Sequence, residues 1–376
     1  MYIYPSTALQ PVIRRFRVRN FKSYRDAEFE FGKVNVVVGP NGSGKTNLVD
    51  AFSALKQLIR PVSLPPFPFA KWGDYRNAVF MQDENLDVSF ELDGTYKDKE
   101  YHYEVSLDGT RVKREVVKYG SYTVEREGET VRFEGKEAVV PPNLSVFNLF
   151  MRQGAIVAVA LPFSLPQDLL EFMLNFMGDV GVFRVVPQLA LSPVHFTHPD
   201  VVYEDGRGIV KVLASNLAKV YQREGTEELR DFLDENNVAL RPYFTVDGNV
   251  RLQFLERADG RELVLPPSSV PDGLIKMLVL LTAVYVMGLS TLVVDEVENS
   301  LHLRYIEKLV DVMRYSGAQF IVTTHSPLVI DFMDPSEIIV LEKEKGETKV
   351  KRIEEPGKLR EELVRSGLLL SEWLLY

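Results

Sequence analysis

Gly39-Pro40-Asn41-Gly42-Ser43-Gly44-Lys45-Thr46 follows the apolar run Val34-Asn35-Val36-Val37-Val38 and opens a segment that reads as helix to about Ile59. The order of strand, glycine-rich turn and helix has a physical use. Small residues let successive backbone N–H groups point inward around phosphates, and the new helix adds the positive end of its dipole. In such a loop Lys45 reaches the β- and γ-phosphates and the Thr46 hydroxyl sits on Mg²⁺. These eight residues, with Asn47 after them, form the expected nucleotide cradle.

Far downstream, Ser290-Thr291-Leu292-Val293-Val294 reads as a buried strand that ends in two acids, Asp295 and Glu296. Open α/β sheets bind ligands at the carboxyl ends of their strands. Asp295 is expected to hold the Mg²⁺ shell through water, and Glu296 to orient or deprotonate an attacking water. Gln319-Phe320-Ile321-Val322-Thr323-Thr324-His325-Ser326-Pro327 is a second apolar strand with a polar tip, where His325 can touch a γ-phosphate or the water aimed at it.

In that order, GPNGSGKTNLVDA (39–51), TLVVDEVENSLH (291–302) and IVTTHSP (321–327) resemble the Walker A, Walker B and switch-histidine segments of ABC-type ATPases. The nearest resemblance is to the soluble RecF/SMC-like branch, which includes single-chain AAA-family ATPases found beside nuclease or defence partners. Asn20-Phe21-Lys22-Ser23-Tyr24 is similar to the opening of that branch. The resemblance implies an α/β P-loop NTPase head of ABC type: a mixed central sheet, an antiparallel β subdomain and a helical lobe. It further implies ATP and Mg²⁺ as ligands, an ATP-induced head-to-tail homodimer, and work in DNA maintenance or in a defence system with a separate nuclease or toxin.

Two family elements are altered. The signature segment, which one head presents to the γ-phosphate of the other, reads Pro271-Asp272-Gly273 where the branch has serine, aspartate and glycine. Asp272 and Gly273 remain as the expected cap. Proline offers a phosphate neither hydroxyl nor N–H, so the contact is weakened unless Ser269 substitutes, and hydrolysis is expected to be slow or partner-dependent. A scaffold that binds ATP with little or no turnover is the alternative, with a transporter motor subunit ranked behind it because nothing resembles the transporter signature. Phe150-Met151-Arg152-Gln153-Gly154 resembles the glutamine loop that adds a metal contact; Gln153 is preferred and Gln82 is its rival.

The boundaries read from composition are 1–60 for the N-terminal strands and P-loop, 61–150 for an antiparallel β part, 151–270 for a largely helical insertion, 271–345 for the signature-like helix with the Walker B and histidine strands, and 346–376 for a tail. The helical character is placed between Leu165 and about Glu235, and Asp247-Gly248-Asn249 marks a hairpin. The nearly unbroken apolar stretch from Met277 to Val294 reads as buried helix, turn and strand, because Gly288-Leu289-Ser290 interrupts it. No heptad array separates the Walker segments, so the coiled-coil arm of SMC proteins is not expected.

Among 376 residues, 45% are apolar and none is cysteine, which excludes a disordered chain, disulfides and thiolate metal sites. The expected location is the cytoplasm, with no membrane association. Arg15, Arg17 and Arg19 alternate with Phe16 and Val18 and suggest a basic strip for non-specific DNA contact, against a net charge of −9. No Asn-Lys-x-Asp segment reads guanine, which favours ATP over GTP. His195 and His198 lack further metal ligands and read as surface histidines. Glu298 and His302 follow Walker B and suit either communication between sites or a helix N-terminus.

Overall fold

The computed structural model describes residues 12–61, 67–150, 161–258 and 261–375. It divides into two compact units, residues 1–180 with 319–376, and residues 181–318, which groups the segments differently from the boundaries at 150, 270 and 345.

The first unit begins with a hairpin, β1 (Val12–Phe21) and β2 (Tyr24–Glu30), paired antiparallel from Arg15 opposite Glu30 to Phe21 opposite Tyr24. Along β1 Ile13, Phe16, Val18 and Phe21 are buried: Phe16 and Val18 alternate, and a register shift between Ile13 and Arg15 and the left-handed Asn20 set the other two on the same side. β3 (Val34–Val38) is buried at all five positions, and α1 (Lys45–Ile59) follows the P-loop. β4 (Val88–Tyr96), β5 (Lys99–Leu107), β6 (Val112–Tyr119), β7 (Tyr122–Glu127), β8 (Thr130–Phe133) and β9 (Lys136–Val139) form a meander. With the hairpin they make an eight-stranded sheet in the order β2-β1-β4-β5-β6-β7-β8-β9. α2 (Gln167–Asn175) brings Phe172 against this sheet, stacked on Tyr119 at 4.6 Å between ring centroids and beside Tyr96 and Tyr101.

The second unit opens with β10 (Val180–Phe183), whose first residue still belongs to the first unit. Then come α3 (Pro187–Ala190), β11 (Val194–His195), α4 (Ile209–Gln222), α5 (Glu227–Glu235), β12 (Val238–Phe244), β13 (Asn249–Ala258) and β14 (Arg261–Leu265). β13 pairs with β11, β12 and β14, all antiparallel, and the expected hairpin sets Phe244 opposite Val250. α6 (Asp272–Tyr285) is buried at twelve consecutive positions from Gly273 to Val284; β15 (Thr291–Val294) and α7 (Leu303–Tyr315) complete the unit. Among the described residues no helix is long and apolar enough to cross a membrane.

On return to the first unit, β16 (Gln319–Thr323) pairs parallel to β3 on one side, and β17 (Ile338–Glu344) pairs parallel to it on the other. α8 (Pro327–Asp331) connects them, β18 (Glu347–Arg352) adds antiparallel to β17, and α9 (Pro356–Ser366) and α10 (Leu370–Leu375) close the chain. The buried Gln319 amide binds the Ile13 carbonyl at 2.7 Å and the Gly32 carbonyl at 2.8 Å, fixing β16 to the N-terminal hairpin.

Two expectations need correction. The segment from Leu165 to Glu235 holds a strand, β10, because four apolar residues are too few to show a period and all four are buried. The residues after 346 are not merely a tail, since β18 extends the P-loop sheet.

Phe172→Ala removes a wholly buried ring that touches three tyrosines and Phe176. Chemical denaturation is expected to show a loss of about 3–5 kcal/mol.

Candidate functional site

In the first unit the site is built on backbone that has no room for side chains. Gly39 has φ +150°, and a Cβ there would lie 2.2 Å from the Leu341 carbonyl oxygen of β17. Gly44 has φ +114°, and its Cβ would lie 2.5 Å from Thr348 Oγ1 on β18. Other residues would be excluded twice, by backbone conformation and by contact. A hydroxyl chain holds the loop from beneath. Asn47 Nδ2 donates to Ser23 Oγ at 2.6 Å, and Ser23 Oγ lies 2.6 Å from Thr348 Oγ1, which donates to the Ser43 carbonyl at 2.7 Å. Tyr24 OH donates to the Gly44 carbonyl at 2.7 Å.

Lys45 is only 5% exposed, and its ammonium donates to the carbonyls of Gly39 at 2.6 Å and Pro40 at 3.0 Å. Asn41, Gly42 and Thr46 are exposed, and the first turn of α1 carries no acidic residue. This arrangement fits a nucleotide: nothing repels phosphate at the helix N-terminus, and the lysine already sits on oxygen acceptors. His325 is exposed at the tip of β16, where the parallel register places Thr323 opposite Val37 and the Thr324 N–H binds the Val37 carbonyl at 3.2 Å. The structure thus brings the histidine tip beside the strand that feeds the P-loop.

The charges near this site are arranged differently from the expected basic strip. Lys22 pairs with Asp50, a carboxylate of α1 that is 2% exposed, while its ammonium lies 4.8 Å from the Trp72 ring centroid. Arg15 pairs with Asp93 at 2.6 Å, Arg17 with Asp26 at 2.7 Å and Arg19 with Glu91 at 2.7 Å. The hydrogen bond from Arg17 holds the Asp26 carboxyl below the usual carboxylate range. Carboxylates on the flanking strands therefore balance the three arginines, and this charge matching removes the support for a phosphate-neutralising strip.

In the second unit, β15 delivers Asp295 and Glu296 to its carboxyl end as expected. Asp295 accepts from Arg184 Nε at 3.0 Å, and Arg184 also pairs with Glu204 at 3.3 Å. Glu296 is exposed at φ +46°, and its carboxylate accepts from the Asn299 side chain. Lys276 of α6 donates to the carbonyls of Glu296 at 2.7 Å and Asn299 at 3.1 Å. Asp272 in the first turn of α6 accepts from Gln188 Nε2 at 3.0 Å, and Gly273 has the Ser300 carbonyl 2.5 Å from where a Cβ would be. The Thr46 hydroxyl and the Asp295 carboxylate are hard oxygen donors of the kind that suits Mg²⁺.

Gln153 lies outside the described residues, and Gln82 is exposed on a short turn, Phe80–Gln82. His195 bonds Thr197 at 2.7 Å, and His198 bonds Tyr203 OH at 3.0 Å, so both serve their loop. His302 immediately precedes α7, its ring 4.0 Å from that of Tyr305.

The geometry agrees with the sequence relatives. The family model described as "RecF/RecN/SMC N terminal domain" matches residues 12–167, and "AAA domain, putative AbiEii toxin, Type IV TA system" matches residues 205–331. Solved structures share the fold: an SMC head bound to the C-terminal winged-helix domain of ScpA has a TM-score of 0.56 at 15% identity, covering 93% of this chain and 100% of that one. The Smc head of Pyrococcus furiosus, with an extended coiled coil, has a TM-score of 0.53 at 12% identity over 94% of this chain and 100% of that one. The fold is that of an ABC-type P-loop head, and the matched segments are similar to the RecF/SMC-like branch. An ATP/GTP phosphatase of Helicobacter pylori is 24% identical over 86% of this chain and 88% of its own length. The RecF protein of Bacillus cytotoxicus is 30% identical over 90 residues, 23% of this chain and 24% of that protein. Together these findings support an ATPase of the SMC/RecF type.

Sequence reasoning missed Thr348, Arg184, Lys276 and Gln188, each of which acts through a partner distant in the chain. Of these four only the threonine beneath the P-loop has a steric signal, since Gly44 leaves room for a close neighbour. Thr348→Val keeps the shape but leaves the Ser43 carbonyl without its donor. Denaturation should show a loss of about 1–3 kcal/mol, and titration with a fluorescent ATP analogue should show weaker binding.

Proposed function

We propose that this head is an ATP-driven molecular switch that hydrolyses ATP to ADP and phosphate and closes head-to-tail as a homodimer. The observation that carries it is a complete P-loop whose glycine geometry is enforced by its neighbours, in a chain that also ends a buried strand with Asp295 and Glu296. The N–H groups of Gly42, Gly44, Lys45 and Thr46 take the phosphates, those of Ser43 and Asn47 being bound to the Pro40 and Gly44 carbonyls, and Lys45 spreads their charge. Thr46, Asp295 and Gln153 would hold Mg²⁺, which would neutralise charge on the phosphate oxygens. Glu296 orients the water and takes its proton as the bond from the γ-phosphorus to the ADP oxygen breaks, and His325 steadies the γ-phosphate.

The second head caps the γ-phosphate through Asp272 and Gly273. Binding energy goes into dimer closure, and hydrolysis reopens it. Effector chemistry belongs to a separate partner, a nuclease or a toxin, in repair or defence. DNA contact through Arg15, Arg17 and Arg19 is not retained, because their charges are matched. A second reading, an ATP-dependent scaffold with little turnover, is favoured by one observation. Pro271 caps α6 without a side-chain hydrogen bond, and Asp272 is already engaged by Gln188.

Light scattering with Mg-ATP, alongside phosphate release, tests the proposal. Glu296→Gln is expected to double in mass with ATP and to lose about 10²–10⁴-fold in turnover. Lys45→Ala should weaken ATP binding by about tenfold or more. Wild-type phosphate release no greater than that of Lys45→Ala would overturn hydrolysis. A Glu296→Gln protein that binds ATP and stays monomeric would leave the scaffold reading.

A further inference from the structure

We infer that Lys276 is a positioning residue for Glu296, its ammonium clamping the turn from Glu296 to Asn299 onto the helix that begins with Asp272 and Gly273. This inference rests on the ATPase reading for its kinetic consequence but not for its geometry. Lys276 is 3% exposed, on a helix otherwise lined with apolar side chains, and a cation there is expensive. Two carbonyls compensate it: Glu296 O at 2.7 Å and Asn299 O at 3.1 Å.

Those carbonyls stand at the two ends of one turn. The Asn299 N–H closes it on Glu296 O at 3.0 Å, and the Asn299 side chain holds the Glu296 carboxylate. Glu296 is held at φ +46°, a conformation that a non-glycine residue keeps only when its surroundings impose it. Gly273, three residues before Lys276, lets the same helix approach the Ser300 carbonyl, where a Cβ would sit at 2.5 Å. One buried cation therefore fixes the backbone, and through Asn299 the side chain, of the residue assigned to the attacking water. Burial lowers the Lys276 pKa to about 8, with Glu298, Glu296 and Asp295 opposing the shift. The amine thus loses its charge as the pH rises through about 8, well below an ordinary lysine.

The test compares wild type, Lys276→Met and Lys276→Arg. Hydrogen exchange without nucleotide is expected to show faster exchange at the amides of 297–300 in Lys276→Met, with Thr291–Val294 unchanged. Lys276→Met should bind ATP within about twofold of wild type, with kcat down about tenfold or more and KM little altered. Lys276→Arg, which keeps a charged donor, should restore most of the rate. Wild-type kcat should fall above about pH 8, whereas Lys276→Arg should hold its rate to higher pH. If Lys276→Met does not fold, Lys276→Gln carries the same comparison. Unchanged exchange together with wild-type kcat in the folded variant would overturn the inference. A wild type without turnover would overturn the ATPase reading instead, and the exchange data alone would then decide the clamp.

Discussion

The structure around the P-loop depends on the close approach of its backbone to the two strands that follow late in the chain. Gly39 lies against the Leu341 carbonyl and Gly44 against the Thr348 hydroxyl, so the loop is shaped by residues some three hundred positions away. The N-terminal hairpin closes the same loop from the other side through Ser23 and Tyr24. Three segments distant in sequence therefore have to assemble before the N–H groups of the cradle take their directions. A glycine-rich stretch in an isolated hairpin would have the same composition and none of this constraint. The long-range pairing of β3 with β16 and β17 is thus a requirement of the site as well as of the core.

Buried cations recur, and each is seated on carbonyl or carboxylate oxygens. Arg126 donates to the carbonyls of Gly128 at 2.7 Å, Pro141 at 2.9 Å and Pro142 at 3.1 Å, and so closes the loop after β9. Lys22 pairs with Asp50 beneath α1. Lys276 seats on the turn after β15. Because a buried charge without partners costs several kcal/mol, Arg126 and Lys276 hold the backbone that supplies their acceptors, while the half-buried Lys22 holds a carboxylate. Lys45 uses the same chemistry at the loop of Gly39 and Pro40, with one difference. Its acceptors border an exposed cradle, and phosphate oxygens offer stronger, charge-assisted bonds than carbonyls. A structural cation and a ligand-binding one differ here in what can compete for them.

The P-loop, the end of α1, the hairpin at Asp247-Gly248 and the β15 and β16 strand tips were legible because each announces itself locally, by glycine spacing or by an apolar run ending in polar residues. β10 was not, since Val180-Gly181-Val182-Phe183 is shorter than any period that could separate strand from helix. β18 was not, since its alternation of Thr348, Lys349, Val350 and Lys351 reads as polar tail until Thr348 is seen beneath the loop. The arginines of β1 alternate as read, but their partners sit on β2 and β4, and pairing between strands cannot be deduced from one of them. Lys276 sat inside an apolar helix and offered no pattern at all. Its meaning comes from carbonyls, which every residue has.

The altered signature segment shows how far a family pattern constrains a chain. At Gly273 the Ser300 carbonyl alone forbids a Cβ. Asp272 likewise has an acceptor role within its own unit, toward Gln188. Asp272 and Gly273 thus have sufficient reasons inside the subunit, while Pro271 offers α6 no side-chain hydrogen bond. As N-cap, Pro271 gives up the side-chain cap that a serine offers and serves α6 through its carbonyl, which accepts from the Leu274 N–H at 3.0 Å and the Ile275 N–H at 3.2 Å. The geometry of Pro271, Asp272 and Gly273 is therefore accounted for by contacts within their own unit.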